Sequence, residues 1–253
     1  MEAPNSTRSI MNKISVLLPT RKRTELVHSS INSVLANASH PEMVEILIAY
    51  DEDDAESKNY FESEKWTNLI SQYGATSKIF ETERHGYIKL YKYVNLLSEK
   101  ATGNWLIFWN DDSVMDTQSW DDTIRENDGY FGLLRAQSNH NHPFAIFPIV
   151  PKQWVEEFGM FSPVNHSDWW TYQCCAPIGR MRNIPIHVTH NRANVNGMNN
   201  DATFQEQDYG ADGQDPSNPE DYSHPDRKND LIAWQHRILA IANEDGPEET
   251  IFL

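Results

Sequence analysis

Apolar and polar positions alternate along the first half of the chain in a way that predicts strands and helices in turn. Short apolar runs of the kind found in strands buried on both faces occupy residues 14–18, 44–50, 78–80 and 105–109. Between these runs, apolar residues recur at helical spacing over residues 24–35, 60–70 and 87–100. This β-α-β-α-β-α-β order predicts an α/β fold with a mainly parallel, doubly wound sheet and right-handed crossovers.

The second half of the chain has a mixed pattern. Strands are predicted at residues 130–134, 144–150 and 184–189, and helices at residues 151–158, 167–178 and 231–242. Residues 191–227 are rich in Asn, Asp, Gly and Pro and show little periodicity, which predicts a long loop. We therefore expect one domain over residues 1–253, with a first half at 12–113, a mixed half at 114–190, and an acidic loop and C-terminal helix at 191–253.

Composition and charge remove several classes of protein. With 39% apolar and 11% aromatic residues, the chain has too much surface to bury for a disordered protein. It contains no apolar run long enough to span a bilayer and no apolar run of signal-peptide type near its start. Its two cysteines, Cys174 and Cys175, are adjacent, which excludes a disulfide framework and a four-cysteine zinc site. We expect a cytoplasmic protein.

The chain has 37 acidic and 21 basic residues, which give it a net charge of −16. This charge limits the kinds of partner that the protein can bind. Such a negative field disfavours passive binding of nucleic acids or anionic membranes, where neutralisation of phosphates dominates affinity. Much of the charge lies in the C-terminal tail, whose segment at residues 201–206 could fold over a ligand as a lid.

Polar clusters follow three of the predicted strands, and ligands of open α/β sheets bind at the carboxyl ends of strands. These clusters begin at Thr20, Asp51 and Asn110. No glycine-rich dinucleotide fingerprint or P-loop follows the first strand, which disfavours dehydrogenases and P-loop hydrolases. The adjacent carboxylates of Asp111 and Asp112 suit Mg²⁺ or Mn²⁺ shared with a diphosphate. Their alternative role is to cap the next turn.

Taken together, three segments resemble the GT-A glycosyltransferases, especially the family-2-like group. They are ISVLLPTR at residues 14–21, Tyr50-Asp51 after the second strand, and ATGNWLIFWNDD at residues 101–112. The resemblance covers residues 12–190 and implies a Rossmann-like GT-A fold with a nucleotide-sugar-binding half followed by an acceptor half. It further implies a hexosyl- or pentosyltransferase that needs Mn²⁺ or Mg²⁺.

The same resemblance implies roles for individual residues. Asp112 would bind the metal, and Asp111 would contact the donor ribose or the metal shell. Other donor-binding residues would be Pro19, Thr20, Arg21, Asp51, Arg84, Gly86 and Asn95. Asn110 departs from the family pattern, since an amide stands where the metal-binding motif has its first carboxylate.

Asp168 is the candidate catalytic base for an inverting transfer, because it opens a predicted helix beside two tryptophans. Its alternative role is that of a residue capping that helix. In a retaining enzyme, Asp168 would instead orient hydroxyl groups of the donor or acceptor. His190, at the end of a predicted strand, is favoured over His187 as a late metal ligand, although a strand histidine can also be structural.

Partners and competing functions remain open at this stage. The favoured donor is a UDP-sugar, and the acceptor is a glycan, a protein or, less favoured, a modified nucleic-acid base. Three arginines, Arg180, Arg182 and Arg192, could form a local basic patch for that last acceptor. The alternatives are a non-catalytic nucleotide- or carbohydrate-binding protein and a nucleotidyltransferase. The latter is disfavoured because no glycine-rich loop follows the first strand.

Overall fold

The computed structural model describes residues 11–140, 142–201, 205, 218–221 and 223–244. Its strands are β1 (Ile14–Pro19), β2 (Val44–Asp51), β3 (Thr76–Thr82), β4 (Trp105–Phe108), β5 (Ser113–Met115), β6 (Leu133–Ser138), β7 (Pro148–Pro151) and β8 (Met181–His190). Its α-helices are α1 (Thr24–Ala36), α2 (Ala55–Phe61), α3 (Glu64–Gln72), α4 (Leu90–Lys100), α5 (Trp120–Arg125), α6 (Gln153–Phe158), α7 (Ser167–Cys175), α8 (Ala193–Asn196) and α9 (Pro225–Glu244). Short 3-10 helices occupy Pro41–Met43, Tyr87–Lys89 and Ala176–Ile178.

All eight strands belong to one sheet with the order β3-β2-β1-β4-β7-β6-β8-β5. The first four strands are parallel to one another, as the alternating strand and helix pattern predicted. Beyond β4 the sheet is mixed, because β7 runs antiparallel to both β4 and β6, while β6 and β8 are parallel. The predicted fold class, a parallel half joined to a mixed half, is confirmed.

Helices cover both faces of the sheet, which is why its central strands are buried and mostly apolar. In β1, Ile14, Val16 and Leu18 pack into a core that includes residues of α1 and α3. Leu17 points to the opposite face and packs into a second core with residues of α4, α6, α7 and α9. None of the described helices is long and apolar enough to cross a membrane.

Several predicted elements have different bounds in the structure. The helix predicted over residues 60–70 is two helices, because Ser63 caps α3 and accepts a hydrogen bond from the backbone of Trp66. The strand predicted at 130–134 begins only at Leu133. A Cβ at Gly132 would lie 2.5 Å from the backbone oxygen of Arg180, so the chain approaches β8 closely just before β6. The strand predicted at 144–150 is confined to Pro148–Pro151.

One strand pairing brings distant parts of the sequence to the same point. After β4, a turn through residues 109–112 leads directly into β5, which pairs antiparallel with β8. In this register Ser113 lies opposite His190. The last residue of β8 therefore lies beside the polar turn that follows β4.

Candidate functional site

A cleft lies at the carboxyl ends of β1, β2 and β4, where open α/β sheets bind their ligands. Its empty space is about 760 Å³, counted out to the open mouth. The lining residues are Pro19, Thr20, Arg21, Arg23, Asp51, Gly86, Tyr87, Leu90, Tyr93, Asn110, Asp111, Asp112, His190 and Arg192. The structure thus brings together eight of the residues singled out from the sequence: Pro19, Thr20, Arg21, Asp51, Gly86, Asp111, Asp112 and His190.

Asp111 is buried at the centre of this cleft with both carboxylate oxygens bonded. The Thr20 hydroxyl donates to Oδ2 at 2.7 Å, and Arg23 Nη1 donates to Oδ1 at 3.0 Å. Burial and the neighbouring charge of Asp112 raise the pKa of Asp111 to about 6, against the opposing charge of Arg23. Asp111 is therefore held by the protein itself and links the ends of β1 and β4.

Asp112 pairs with the histidine that the β5–β8 pairing delivers. His190 Nε2 lies 3.0 Å from Oδ1 of Asp112, and both side chains are buried. Arg23 Nη1 lies 3.7 Å from the other Asp112 oxygen. His187, the other histidine considered on this strand, is exposed. The preference for His190 over His187 thus agrees with the direction in which each side chain points.

Arg23 is the charged residue at the centre of the hydrogen-bond network that sequence reasoning missed, and Tyr93 was missed as well. Its Nε and Nη2 donate to the two carboxylate oxygens of Asp201 at 2.9 and 2.6 Å, while Nη1 faces Asp111. Although burial opposes its charge, Asp111 and Asp201 hold the pKa of Arg23 above its ordinary value. The signal in the sequence was the run Arg21-Lys22-Arg23 after β1, in which only the first arginine was assigned a role.

Asp51 provides a second buried carboxylate, at the end of β2. Arg21 Nη1 donates to its Oδ2 at 2.8 Å, and the Tyr93 hydroxyl donates to its Oδ1. Burial and the hydrogen bond to Asp51 raise the pKa of Tyr93 above its ordinary value, so the phenol stays a donor. The same phenol oxygen accepts a hydrogen bond from the backbone of His85 at 2.8 Å. Asp51 is therefore held rigidly from two sides.

The residues present fit a divalent cation that takes part of its ligands from a substrate. Asp112 Oδ1 and His190 Nε2 are separated by 3.0 Å, which is about the distance between adjacent ligands of an octahedral ion with bonds of ~2.1 Å. Three carboxylates, those of Asp111, Asp112 and Asp201, surround the one guanidinium of Arg23, so a further cation would balance the charge. Among the described residues, no three His, Cys, Asp or Glu side chains form a complete metal site.

Two residues expected to bind the donor do not line the cleft. Asn95 lies on α4, and its side chain bonds only the backbone of Phe161 and Ser162. These hydrogen bonds connect α4 to the loop before α7, so the observed role of Asn95 is to hold that loop. Arg84 is partly exposed, and its Nη1 lies 3.7 Å from Asp53. The geometry offers no support for a donor contact by Asn95.

Asp168 lies in the first turn of α7, outside the cleft lining, and its Oδ1 accepts a hydrogen bond from the backbone of Trp169 at 2.8 Å. Asp168 is nevertheless close to His140, which neighbours His190 of the cleft. Burial lowers the pKa of His140, with contributions from His142 and His190, while the charge of Asp168 raises it. The rings of His140 and His190 are 6.2 Å apart. Asp168 is therefore near enough to His140 for its charge to act on that ring, although it is not among the residues that line the cleft.

The expected patch of three arginines is not formed. Arg180 and Arg182 stand at the start of β8, where their guanidinium groups lie 4.5 and 3.8 Å from the Tyr130 ring. Arg192 follows the other end of β8 and lines the cleft. A strand of this length separates its two ends by about 30 Å. Their closeness in sequence was misleading because an extended strand keeps such residues apart.

No protein-family model matches the chain, and no curated protein resembles it in sequence. Solved structures do resemble its fold. One is the mannosyltransferase PcManGT from Pyrobaculum calidifontis in complex with GDP-Man and Mn²⁺, with a TM-score of 0.56 and 14% identity over 94% of this chain and 77% of that one. Another is S. aureus TarS 1-349 in complex with UDP-GlcNAc, with a TM-score of 0.53 and 12% identity over 94% of this chain and 68% of that one.

A third structure, S. aureus TarS 1-349 in complex with UDP, has a TM-score of 0.50 and 13% identity. That alignment covers 70% of this chain, which spans 60% of the length of the TarS chain. At these identities the similarity concerns the fold. The chain has the GT-A, Rossmann-like fold, as the sequence motifs indicated.

Proposed function

We propose that this GT-A-fold protein is a glycosyltransferase that moves a sugar from a nucleoside-diphosphate sugar to an acceptor hydroxyl. The observation that carries the proposal is the convergence of Thr20, Arg23, Asp111, Asp112 and His190 at the carboxyl ends of β1 and β4. The named neighbours are complexes with UDP, UDP-GlcNAc or GDP-Man, which supports a nucleotide-sugar donor.

The nucleoside and the diphosphate of the donor would contact different residues of the cleft. Asp51, held by Arg21 and Tyr93, would accept hydrogen bonds from the nucleotide base or ribose. Arg23 would face the diphosphate, since a guanidinium presents paired donors to phosphate oxygens. A UDP-sugar remains the favoured donor, with hexosyl and pentosyl groups both open.

A divalent cation, Mn²⁺ or Mg²⁺, would be held by Asp112 and His190. When bound, it would stabilise negative charge on the departing diphosphate. The mixed carboxylate and imidazole set favours Mn²⁺, because Mg²⁺ prefers oxygen ligands throughout. The Mn²⁺ in the PcManGT complex supports the same choice.

Proton removal from the acceptor is assigned to Asp168, in an inverting transfer. Its position in the first turn of α7 and its proximity to His140 support this role. Asn95 would act indirectly, by holding the loop that leads into α7. The acceptor would enter from the side of β6 and β8, and a glycan or a protein is favoured over a nucleic-acid base.

The proposal is tested by calorimetric titration of UDP, GDP, CDP and ADP, each with Mn²⁺ and with EDTA. We expect one nucleotide to bind with an affinity that Mn²⁺ raises by at least ~10-fold, the scale of losing a metal ligand or its support. In Asp112→Asn the effect of Mn²⁺ should vanish, while Asp226→Asn, an exposed carboxylate on α9, should bind as the wild type.

Two outcomes would overturn it. Binding of no nucleotide under any condition would favour a non-catalytic protein with a GT-A fold. Nucleotide binding that is unchanged in Asp112→Asn would remove the metal from the proposal and leave Arg23 as the cation that meets the diphosphate.

A further inference from the structure

A second pocket lies along β6, separate from the donor cleft. Its empty space, counted out to the open mouth as for the donor cleft, is about 700 Å³, so it can hold a chemical group of a ligand. Polar side chains from β6, the following loop and β8 line it, chiefly Arg135, Gln137, Ser138, His140, His142 and Asn183. The function proposed above does not use this pocket.

The charge of the pocket is opposite to that of the protein. Among the residues that the structure describes, no aspartate or glutamate lines the pocket, although the chain as a whole carries a net charge of −16. Within the described part of the chain, Arg135 has no carboxylate within salt-bridge distance, whereas Arg21, Arg23 and Arg125 each have at least two. The pocket is therefore a small positively charged site on a protein with a negative net charge.

Arg135 is held in place by neutral groups. Its Nη2 donates to the backbone oxygen of His142 at 2.8 Å, and its Nη1 lies 3.5 Å from the amide oxygen of Asn183. A guanidinium has five N–H donors, so these two contacts leave donors available to a ligand. An arginine oriented in this way, without a carboxylate beside it, is suited to bind a phosphate or carboxylate.

The pocket and the donor cleft are neighbours at His140 and His190. His140 lines the pocket, and its ring lies 6.2 Å from that of His190. Arg135 lies beside the histidines of the pocket, because its Nη2 donates to the backbone oxygen of His142, whose ring lies 5.4 Å from that of His140. A ligand bound by Arg135 would therefore lie near His140, the residue that neighbours His190.

We infer that this pocket is an acceptor subsite that binds an anionic group, a phosphate or a carboxylate, on the sugar acceptor. The inference rests on the proposed glycosyltransferase function and narrows its substrate class to acceptors with a negative charge near the reacting hydroxyl. The negative net charge of the protein would disfavour the binding of polyanions. The pocket would therefore recognise a single anionic group of the acceptor.

The test uses glucose 6-phosphate, glucuronate and neutral glucose as probes, titrated by calorimetry or ligand-observed NMR. The donor cleft is first saturated with the nucleoside diphosphate and Mn²⁺, so that phosphate cannot bind at Arg23. We expect at least one anionic probe to bind ~10-fold more tightly than glucose, the effect of about one charge-assisted hydrogen bond. Added salt should weaken its binding.

Two variants separate the charge of Arg135 from its structural contact. Arg135→Gln removes the guanidinium, whereas Asn183→Asp keeps it and places a carboxylate beside it. Both should abolish the preference for the anionic probe, and Arg237→Gln, which removes an arginine paired with Glu157 on α6, should not. The preferred probe also distinguishes a phosphate from a carboxylate.

Equal binding of charged and neutral probes, or an anion preference that survives both variants, would overturn the inference. Nucleotide binding is measured in the same samples and reports on the proposed function independently. If nucleotide binds and the anion preference is absent, only the acceptor subsite fails. If no nucleotide binds, the glycosyltransferase proposal fails, and the variants still show whether the pocket binds anions.

Discussion

Asn95 on α4 and Ser162 in the loop before α7 are joined by reciprocal hydrogen bonds. Asn95 Nδ2 donates to the Ser162 backbone oxygen at 2.7 Å, and Asn95 Oδ1 accepts from the Ser162 backbone nitrogen at 3.0 Å. The same Oδ1 accepts from the nitrogen of Phe161 at 2.9 Å. One amide therefore satisfies three backbone groups of the segment that leads to Asp168.

Asn95→Ala should lower the free energy of unfolding by about 2–4 kcal/mol, because it leaves these backbone groups without partners. Denaturant unfolding measures this, and Asn68→Ala, on an exposed position of α3, is the matched control with an expected effect below ~0.5 kcal/mol. Nucleotide affinity should be unchanged in folded Asn95→Ala. A loss of affinity without a loss of stability would instead support the donor contact expected from the sequence.

Asp111 should make stability depend on pH in the absence of nucleotide and metal. Its pKa in the folded protein is about 6, above the ordinary value of 3.8, so the folded state holds the proton more tightly. The resulting stabilisation is fully present below pH 3.8 and is lost as the pH rises through about 6. Asp111→Asn lacks this dependence because the amide does not titrate.

The difference in unfolding free energy between Asp111→Asn and the wild type should therefore move in favour of the variant by about 2 kcal/mol between pH 4.5 and 7.5. Urea unfolding in EDTA at several pH values measures it. The exposed Glu64→Gln, in the first turn of α3, is the control and should show no such trend. A constant difference across this range would contradict the raised pKa.

Asp201 should compete with the donor diphosphate for Arg23. Its carboxylate accepts from Nε and Nη2, the paired donors that a phosphate would otherwise engage. Asp201→Asn removes this negative charge, and we expect nucleoside diphosphate to bind about 3- to 10-fold more tightly, since one surface ion pair contributes up to ~1 kcal/mol. Calorimetry in EDTA measures the change, and weaker binding would indicate that Asp201 supports the site. The residues beyond it, 202–204, lie outside the described part of the chain.

Asp168→Asn should preserve nucleotide binding and slow transfer by at least ~10²-fold, the usual contribution of a general base. The amide oxygen can still accept the hydrogen bond from Trp169, so α7 should keep its first turn. Release of nucleoside diphosphate from the sugar nucleotide, with water as a slow acceptor, provides a readout before the acceptor is known. A rate equal to that of the wild type would make Asp168 a helix-capping residue.

Much of the fold was predictable because the relevant signals are local. The strands β1, β2 and β4 are apolar runs that end at polar residues, and burial on both faces requires that pattern wherever the strand lies. Their common carboxyl edge then follows from the parallel order, which is why Thr20, Asp51 and Asp111 were expected near one another. The mixed half was predicted less accurately, since the aromatic residues before β6 and β7, such as Tyr130, Phe131 and Phe147, are buried without forming strands.

The sequence by itself determined the parallel half of the sheet and the polar residues at its edge, because these depend on the order and polarity of neighbouring residues. Only the tertiary structure decided which distant residues meet there. The β5–β8 pairing places His190 beside Asp112, the turn after β1 directs Arg23 between Asp111 and Asp201, and β8 separates Arg180 from Arg192. These relationships depend on strand register and side-chain direction, which contacts between remote segments set.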